Sequence, residues 1–120
     1  MNKRILAGFH DSDLVEACND ISKINGYSVD FASDDKDMLE KANKTKYGVY
    51  LMDANLGTPN SEDVTPVVRM YNSIKLRLVK EKGEVKFLAI SSNQKAVEKL
   101  KKMGIPAQEK KEFNLVSFLS

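Results

Sequence analysis

The chain has 120 residues, 42% of them apolar and 30% charged, with a formal net charge of +2; this allows one core of ordinary size and excludes a second domain of similar bulk. The charge is too small to argue for nucleic-acid binding, no apolar run is long enough to cross a bilayer, and the start Met1-Asn2-Lys3-Arg4 leads into a strand-length segment rather than a signal-peptide core. A lone Cys18 excludes an internal disulfide and a lone His10 excludes a Cys/His zinc site, so the expectation is one unprocessed, soluble, cytoplasmic domain over residues 1–120.

Ile5-Leu6-Ala7-Gly8-Phe9 is almost wholly apolar, as a strand buried on both faces of a parallel sheet must be. Ser12 or Asp13 can cap the next helix, where Leu14, Val15, Cys18, Ile21 and Ile24 form one stripe and Asn25-Gly26 supplies the stop. Tyr27 to Phe31 reads as a half-buried strand, and Ser33-Asp34 caps a short helix carrying Met38, Leu39 and Ala42. Tyr47 to Met52 is a third, apolar strand. After the turn-forming Gly57-Thr58-Pro59-Asn60, helical spacing runs through Val64, Val67, Val68, Tyr71, Ile74 and Leu78 to Lys82-Gly83, with Pro66 in the first turn. Val85 to Ile90 is the fourth strand. Asn93 caps a helix with Ala96, Val97, Leu100 and Met103 on one face, closed by Gly104. Ile105 to Glu109 reads as a last strand, and Phe113 to Ser120 as a short helix that buries Leu115, Phe118 and Leu119.

This alternation predicts a parallel sheet with helices on both faces and right-handed crossovers. In such sheets chemistry gathers at the carboxyl ends of the strands. The residues there are Phe9, His10 and Asp11 after the first strand, Asp53 after the third, Ser91 and Ser92 after the fourth, and Lys110 and Lys111 after the fifth. An aspartate beside a hydroxyl and a lysine is suited to accept a phosphoryl group: the carboxylate attacks, and the cation and hydroxyl stabilise the transferred oxygens. Taken alone, Asp53 would read as a capping or loop residue.

Leu51-Met52-Asp53-Ala54-Asn55-Leu56 resembles the acceptor segment of CheY-like receiver domains of two-component response regulators. Arg4-Ile5-Leu6 resembles the family's first strand, Asn25-Gly26-Tyr27-Ser28-Val29 its helix-to-strand turn, Ala89-Ile90-Ser91 its hydroxyl-bearing strand, and Lys111-Glu112-Phe113-Asn114-Leu115 its Lys-Pro-Phe segment. The resemblance implies a doubly wound (βα)5 flavodoxin-like three-layer α/β fold, with a five-stranded parallel sheet in the order 2-1-3-4-5. It also implies that Asp53 is the phosphoacceptor, Ser91 the hydroxyl that senses the phosphoryl group, Lys111 its counter-ion, and the Asn55 carbonyl a ligand for Mg2+.

The departures from the family bear on metal and switching. Where the family carries two adjacent acids for magnesium, this chain has Phe9 and His10, and neither suits a hard ion that prefers oxygen. A bulge that swings Asp11 in beside Asp53 and Asn55 would leave a weak, degenerate metal site; His10 could instead favour a softer metal, or stand in as a cation when protonated. For His10 the plainer reading is a hydrogen-bonded histidine at a strand end. Gln108 replaces the usual aromatic switch residue, Glu112 replaces the proline, and Lys110 is a rival to Lys111. The stretch from Asp53 to Ser91 is longer than the family's, which lengthens the third helix.

Lys95, Lys99, Lys101, Lys102, Lys110 and Lys111 concentrate on the fourth helix and fifth strand, in the family the surface for partners and dimers. A solvated helix face is the plainest account of them, and a basic surface would also suit an acidic protein; without interleaved aromatics or arginines a nucleic-acid site is disfavoured. Three functions remain open. The chain is a receiver that takes a phosphoryl group from a histidine kinase on Asp53, a phosphorylation-independent pseudo-receiver that binds another signalling protein, or a small-ligand or nucleotide-binding domain. The last lacks a glycine-rich phosphate cradle. The expectation is an atypical response regulator that turns over no small molecule beyond self-phosphorylation, acts by protein–protein contact, carries no output domain, and has no membrane partner.

Overall fold

Apolar strand-length runs separated by amphipathic helices leave the chain one economical arrangement, a central sheet with both faces covered. The computed structural model describes residues 2–120, so Met1, the first residue of the charged start, lies outside the described residues. In chain order the elements are β1 (Arg4–Gly8), α1 (Ser12–Asn25), β2 (Ser28–Phe31), α2 (Asp35–Lys44), β3 (Val49–Asp53), α3 (Thr65–Lys80), β4 (Lys86–Ser91), α4 (Gln94–Lys102), β5 (Ala107–Glu109), a 3-10 turn (Lys110–Glu112) and α5 (Leu115–Leu119). The sheet order is β2-β1-β3-β4-β5 with every pair parallel, as the resemblance implied.

Two apolar clusters cover the sheet. Leu6, Tyr50, Met52 and Ala89 point to one face, where they meet Met38 of α2, Val67, Met70 and Ile74 of α3, and Val97 and Leu100 of α4. Ile5, Ala7, Leu51 and Ile90 point to the other, against Cys18 of α1 and Leu115 and Leu119 of α5. The register aligns Gly8 with Met52, Asp53 with Ile90, and Ser91 with Glu109, so the carboxyl ends of four strands form one edge. At that edge β1 comes close to its neighbours: a Cβ on Gly8 would run into Leu56 and lie 3.2 Å from the Met38 sulfur.

The helix ends differ from the sequence expectation in ways that shape this edge. Asp11, not Ser12 or Asp13, is the N-cap of α1; its backbone is extended and its carboxylate accepts the Asp13 N–H. Gly26, at φ 74°, ends the helix in the left-handed region that glycine enters freely. Ile24 is 81% exposed and Met103 is 56% exposed, so neither joins the buried stripe assigned to it. On α1 the buried line runs from Cys18 to Ser22, four residues on, and Ile24 lies beyond it.

Asn93 caps α4 as expected, accepting the N–H groups of Lys95 and Ala96 at 2.9 and 3.3 Å, and its amide donates to Ser61 Oγ at 3.0 Å. Asn93→Ala is expected to lower the unfolding free energy by about 1 kcal/mol, read as an earlier urea midpoint at unchanged m-value.

Candidate functional site

The site begins with Asp53, the last residue of β3, which packing against β1 and β4 leaves only 8% exposed. Its Oδ2 accepts the backbone N–H of His10 at 2.6 Å, tying the end of β3 to the residue that leads from β1 to α1. The His10 ring is turned toward the Asn55 carbonyl, with Nε2 3.4 Å from that oxygen. Ser91, the last residue of β4, is buried, and its hydroxyl accepts the Asn93 N–H at 2.9 Å. Since Asp53 pairs with Ile90 in the parallel register, Ser91 stands one residue beyond it on the neighbouring strand.

Asp11 uses both carboxylate oxygens: Oδ1 accepts the Asp13 N–H at 2.8 Å and Oδ2 is ion-paired with Lys110 Nζ. Lys111, the expected counter-ion, is turned to solvent; its side chain is 76% exposed and its ammonium lies 3.8 Å from Glu109. The cause is the 3-10 turn that opens at Lys110 and is closed by the Phe113 N–H to Lys110 carbonyl bond. With three residues per turn, successive side chains splay by about 120°, so adjacent lysines cannot face the same point. The sequence left the two lysines as rivals, and the only signal that separates them is Glu112, which stands where the family has proline. A cleft of about 310 Å3 opens beside them, lined by Ser92, Glu109, Lys110 and Lys111.

Burial pushes the Asp53 carboxyl above the ordinary carboxylate value, opposed by the His10 N–H bond and by the nearby His10 and Lys110 side chains. Asp11 moves the other way: its bond to Lys110 and the Asp13 N–H hold it below the ordinary value. The two carboxylates of this edge therefore sit in opposite environments.

No protein-family model matches the chain, and no curated protein matches it in sequence. Solved structures match over nearly its whole length. Chemotaxis protein CheY4 of Vibrio cholerae is similar with a TM-score of 0.67 at 21% identity, over 99% of this chain and 94% of that one. A two-component response regulator from Clostridium difficile gives a TM-score of 0.71 at 15% identity, over 98% and 89%. The fold is the CheY-like receiver fold. A third structure with it is the receiver domain of a sensor histidine kinase from Pseudomonas aeruginosa, with a magnesium ion coordinated in its active-site cleft; it gives a TM-score of 0.64 at 18% identity, over 99% and 93%. Among the described residues no helix is long and apolar enough to cross a membrane.

The donor set here does not fit magnesium. Phe9 packs into the α1/α5 cluster, the His10 ring faces the Asn55 carbonyl, and Asp11 is held by its own helix and by Lys110. Among the described residues no three His, Cys, Asp or Glu side chains gather where they could hold a metal ion. Magnesium binds oxygen in near-octahedral geometry and keeps several waters. At this edge it would have to displace an ammonium and compete with two N–H donors for the same carboxylates.

Proposed function

We propose that this chain is a signal-transduction receiver of an atypical kind, in which Asp53 is the phosphoacceptor and the output is a contact with another protein. The observation that carries this reading is the position of Asp53: a buried carboxylate on the last residue of β3, beside the strand that ends at the buried Ser91 and on the same strand edge as Lys110. Since Oδ2 is engaged by the His10 N–H, Oδ1 would attack phosphorus as the bond to the donor's leaving group breaks. Ser91 and Lys110, rather than Lys111, would receive the transferred oxygens. The donor is a histidine kinase or a small phosphodonor, and the module turns over no other substrate. The partner surface is the α4/β5 face, where Lys101, Lys102 and Gln108 are exposed; a homodimer through that face is the alternative use, and the domain comprises residues 1–120.

The test is intact mass after incubation with acetyl phosphate or phosphoramidate, with Asp53→Asn as control. A single phosphate adduct lost in Asp53→Asn is the expected result. No adduct with any donor, with or without magnesium or manganese, would favour the phosphorylation-independent pseudo-receiver. That second reading is supported by Gln108, which is polar and exposed where the family's aromatic switch would stand.

A further inference from the structure

Asp11 and Asp53 both stand at this sheet edge, and Asp53 is buried. Such a pair needs a positive charge nearby, because an uncompensated buried anion is costly. Lys110 supplies it. Its backbone is fixed by the Ser91–Glu109 pairing immediately before it and by the 3-10 turn that it opens. Asp11, its partner, is fixed as the cap of α1. Both ends of the ion pair thus start from backbone positions set by secondary structure. The Lys110 side chain is 38% exposed and that of Asp11 26%, against 76% for Lys111, whose ammonium lies 3.8 Å from Glu109 instead.

We propose that Lys110 is a built-in cation that takes the place of a divalent metal at this strand edge and keeps magnesium and manganese out of it. A metal entering the edge would have to break the Lys110–Asp11 pair, leave the ammonium beside its own two charges, and shed water to reach Asp11, engaged through both oxygens, and Asp53, engaged through Oδ2. Removing the ammonium reverses each of these terms: it frees an oxygen of Asp11, removes the repulsion, and leaves two anions without a counter-charge. The residues that block the metal are therefore also the ones that would hold it once Lys110 is gone. The proposal deepens the receiver reading by assigning the charge at that same site, and metal affinity reads it separately from phosphoryl transfer.

The experiment titrates Mn2+ into the full chain and follows paramagnetic broadening of the His10, Asp53 and Asn55 amide signals, with calorimetry for affinity. Lys110→Ala, and Lys110→Met to keep the aliphatic stem, should tighten manganese binding about tenfold or more over the unsubstituted protein. Lys111→Ala should not. Adding Asp11→Asn to Lys110→Ala should reverse the gain, since asparagine still caps the helix. Saturable binding at this edge by the unsubstituted protein, as tight as in the Lys110 variants, would overturn the proposal without reference to any variant's stability. So would folded Lys110 variants that gain no affinity, which would reduce the pair to an ordinary surface contact. An absent phosphate adduct with the expected manganese series would instead retire acceptor chemistry and leave Lys110's role intact.

Discussion

Tyr50→Ala is expected to lower the free energy of unfolding by about 3–5 kcal/mol, the range for deleting a fully buried aromatic ring. Domains of this kind are stabilised by only about 5–15 kcal/mol in all, so the variant should unfold at a much lower urea concentration. The ring is fully buried in the α2/α3/α4 cluster and meets Tyr47 edge-on, with centroids 5.9 Å apart and planes at 75°. Its hydroxyl is the acceptor in a small network: Arg77 Nη1 donates to it at 2.6 Å, and the Tyr47 N–H donates at 3.3 Å. The same Nη1 reaches the Tyr47 carbonyl at 3.1 Å, while Arg77 Nε bonds Glu81 at 2.8 Å. Alanine therefore opens a cavity and also removes the buried acceptor of a half-buried guanidinium. Tyr50→Phe separates the two effects: the ring stays, only the acceptor goes, and the loss should be about 1–2 kcal/mol. Urea melts of both variants check the division, and equal losses would mean that the network, not the ring, dominates.

That network was not legible in the sequence, whereas the sheet around it was. Tyr47 and Tyr50 read as strand residues from their apolar setting, but nothing in their spacing indicates that a helix-three arginine, 27 residues after Tyr50, returns to cap the hydroxyl. Hydrophobic periodicity reports which face an element buries and says nothing of which polar groups meet across elements. The same division holds at the strand edge. Asp53 and Ser91 were placed by their positions as strand-terminal residues, and parallel register then puts them on adjacent strands. That Lys110 and not Lys111 pairs with Asp11 follows from one turn of 3-10 helix, a feature too local for a pattern argument. Asp11 caps α1 and pairs with Lys110, because the first orphan N–H groups of a helix compete for the nearest carboxylate, and spacing along the chain does not display that competition. Ile24 and Met103 are exposed, and both sit at a helix end, Ile24 in the last turn of α1 and Met103 just after α4, beyond the mid-helix positions where a stripe is buried.

Asp53→Asn is expected to stabilise the fold by about 1–2 kcal/mol at pH 7, the scale for relieving a partly compensated buried charge. The sign follows from the environment of the carboxylate. Burial raises its folded-state pKa above the ordinary value of 3.8, so the folded state binds the proton more tightly than the unfolded state does. Below pH 3.8 the group is protonated in both states and contributes no difference. As the pH rises through 3.8 toward the higher folded value, the unfolded chain ionises first, stability is lost, and above the folded value the loss is complete. Asparagine has no charge to bury and can still accept the His10 N–H, so its advantage should be present at pH 7 and vanish below pH 3.8. Asp11, Asp37, Asp63 and Glu81 have lowered values and act in the opposite sense: their stabilisation is present above the ordinary carboxylate range and is lost as the pH falls through their folded values. The measurement is therefore the difference between Asp53→Asn and the unsubstituted protein at pH 7 and at the acid end, by urea unfolding, which cancels the common loss from those four groups. Equal stability at pH 7 would mean that the His10 N–H and Lys110 fully repay the burial of the charge. A stabilised variant would mean that the fold carries Asp53 at a cost that asparagine would spare it, which is the pattern expected of a group retained for its chemistry.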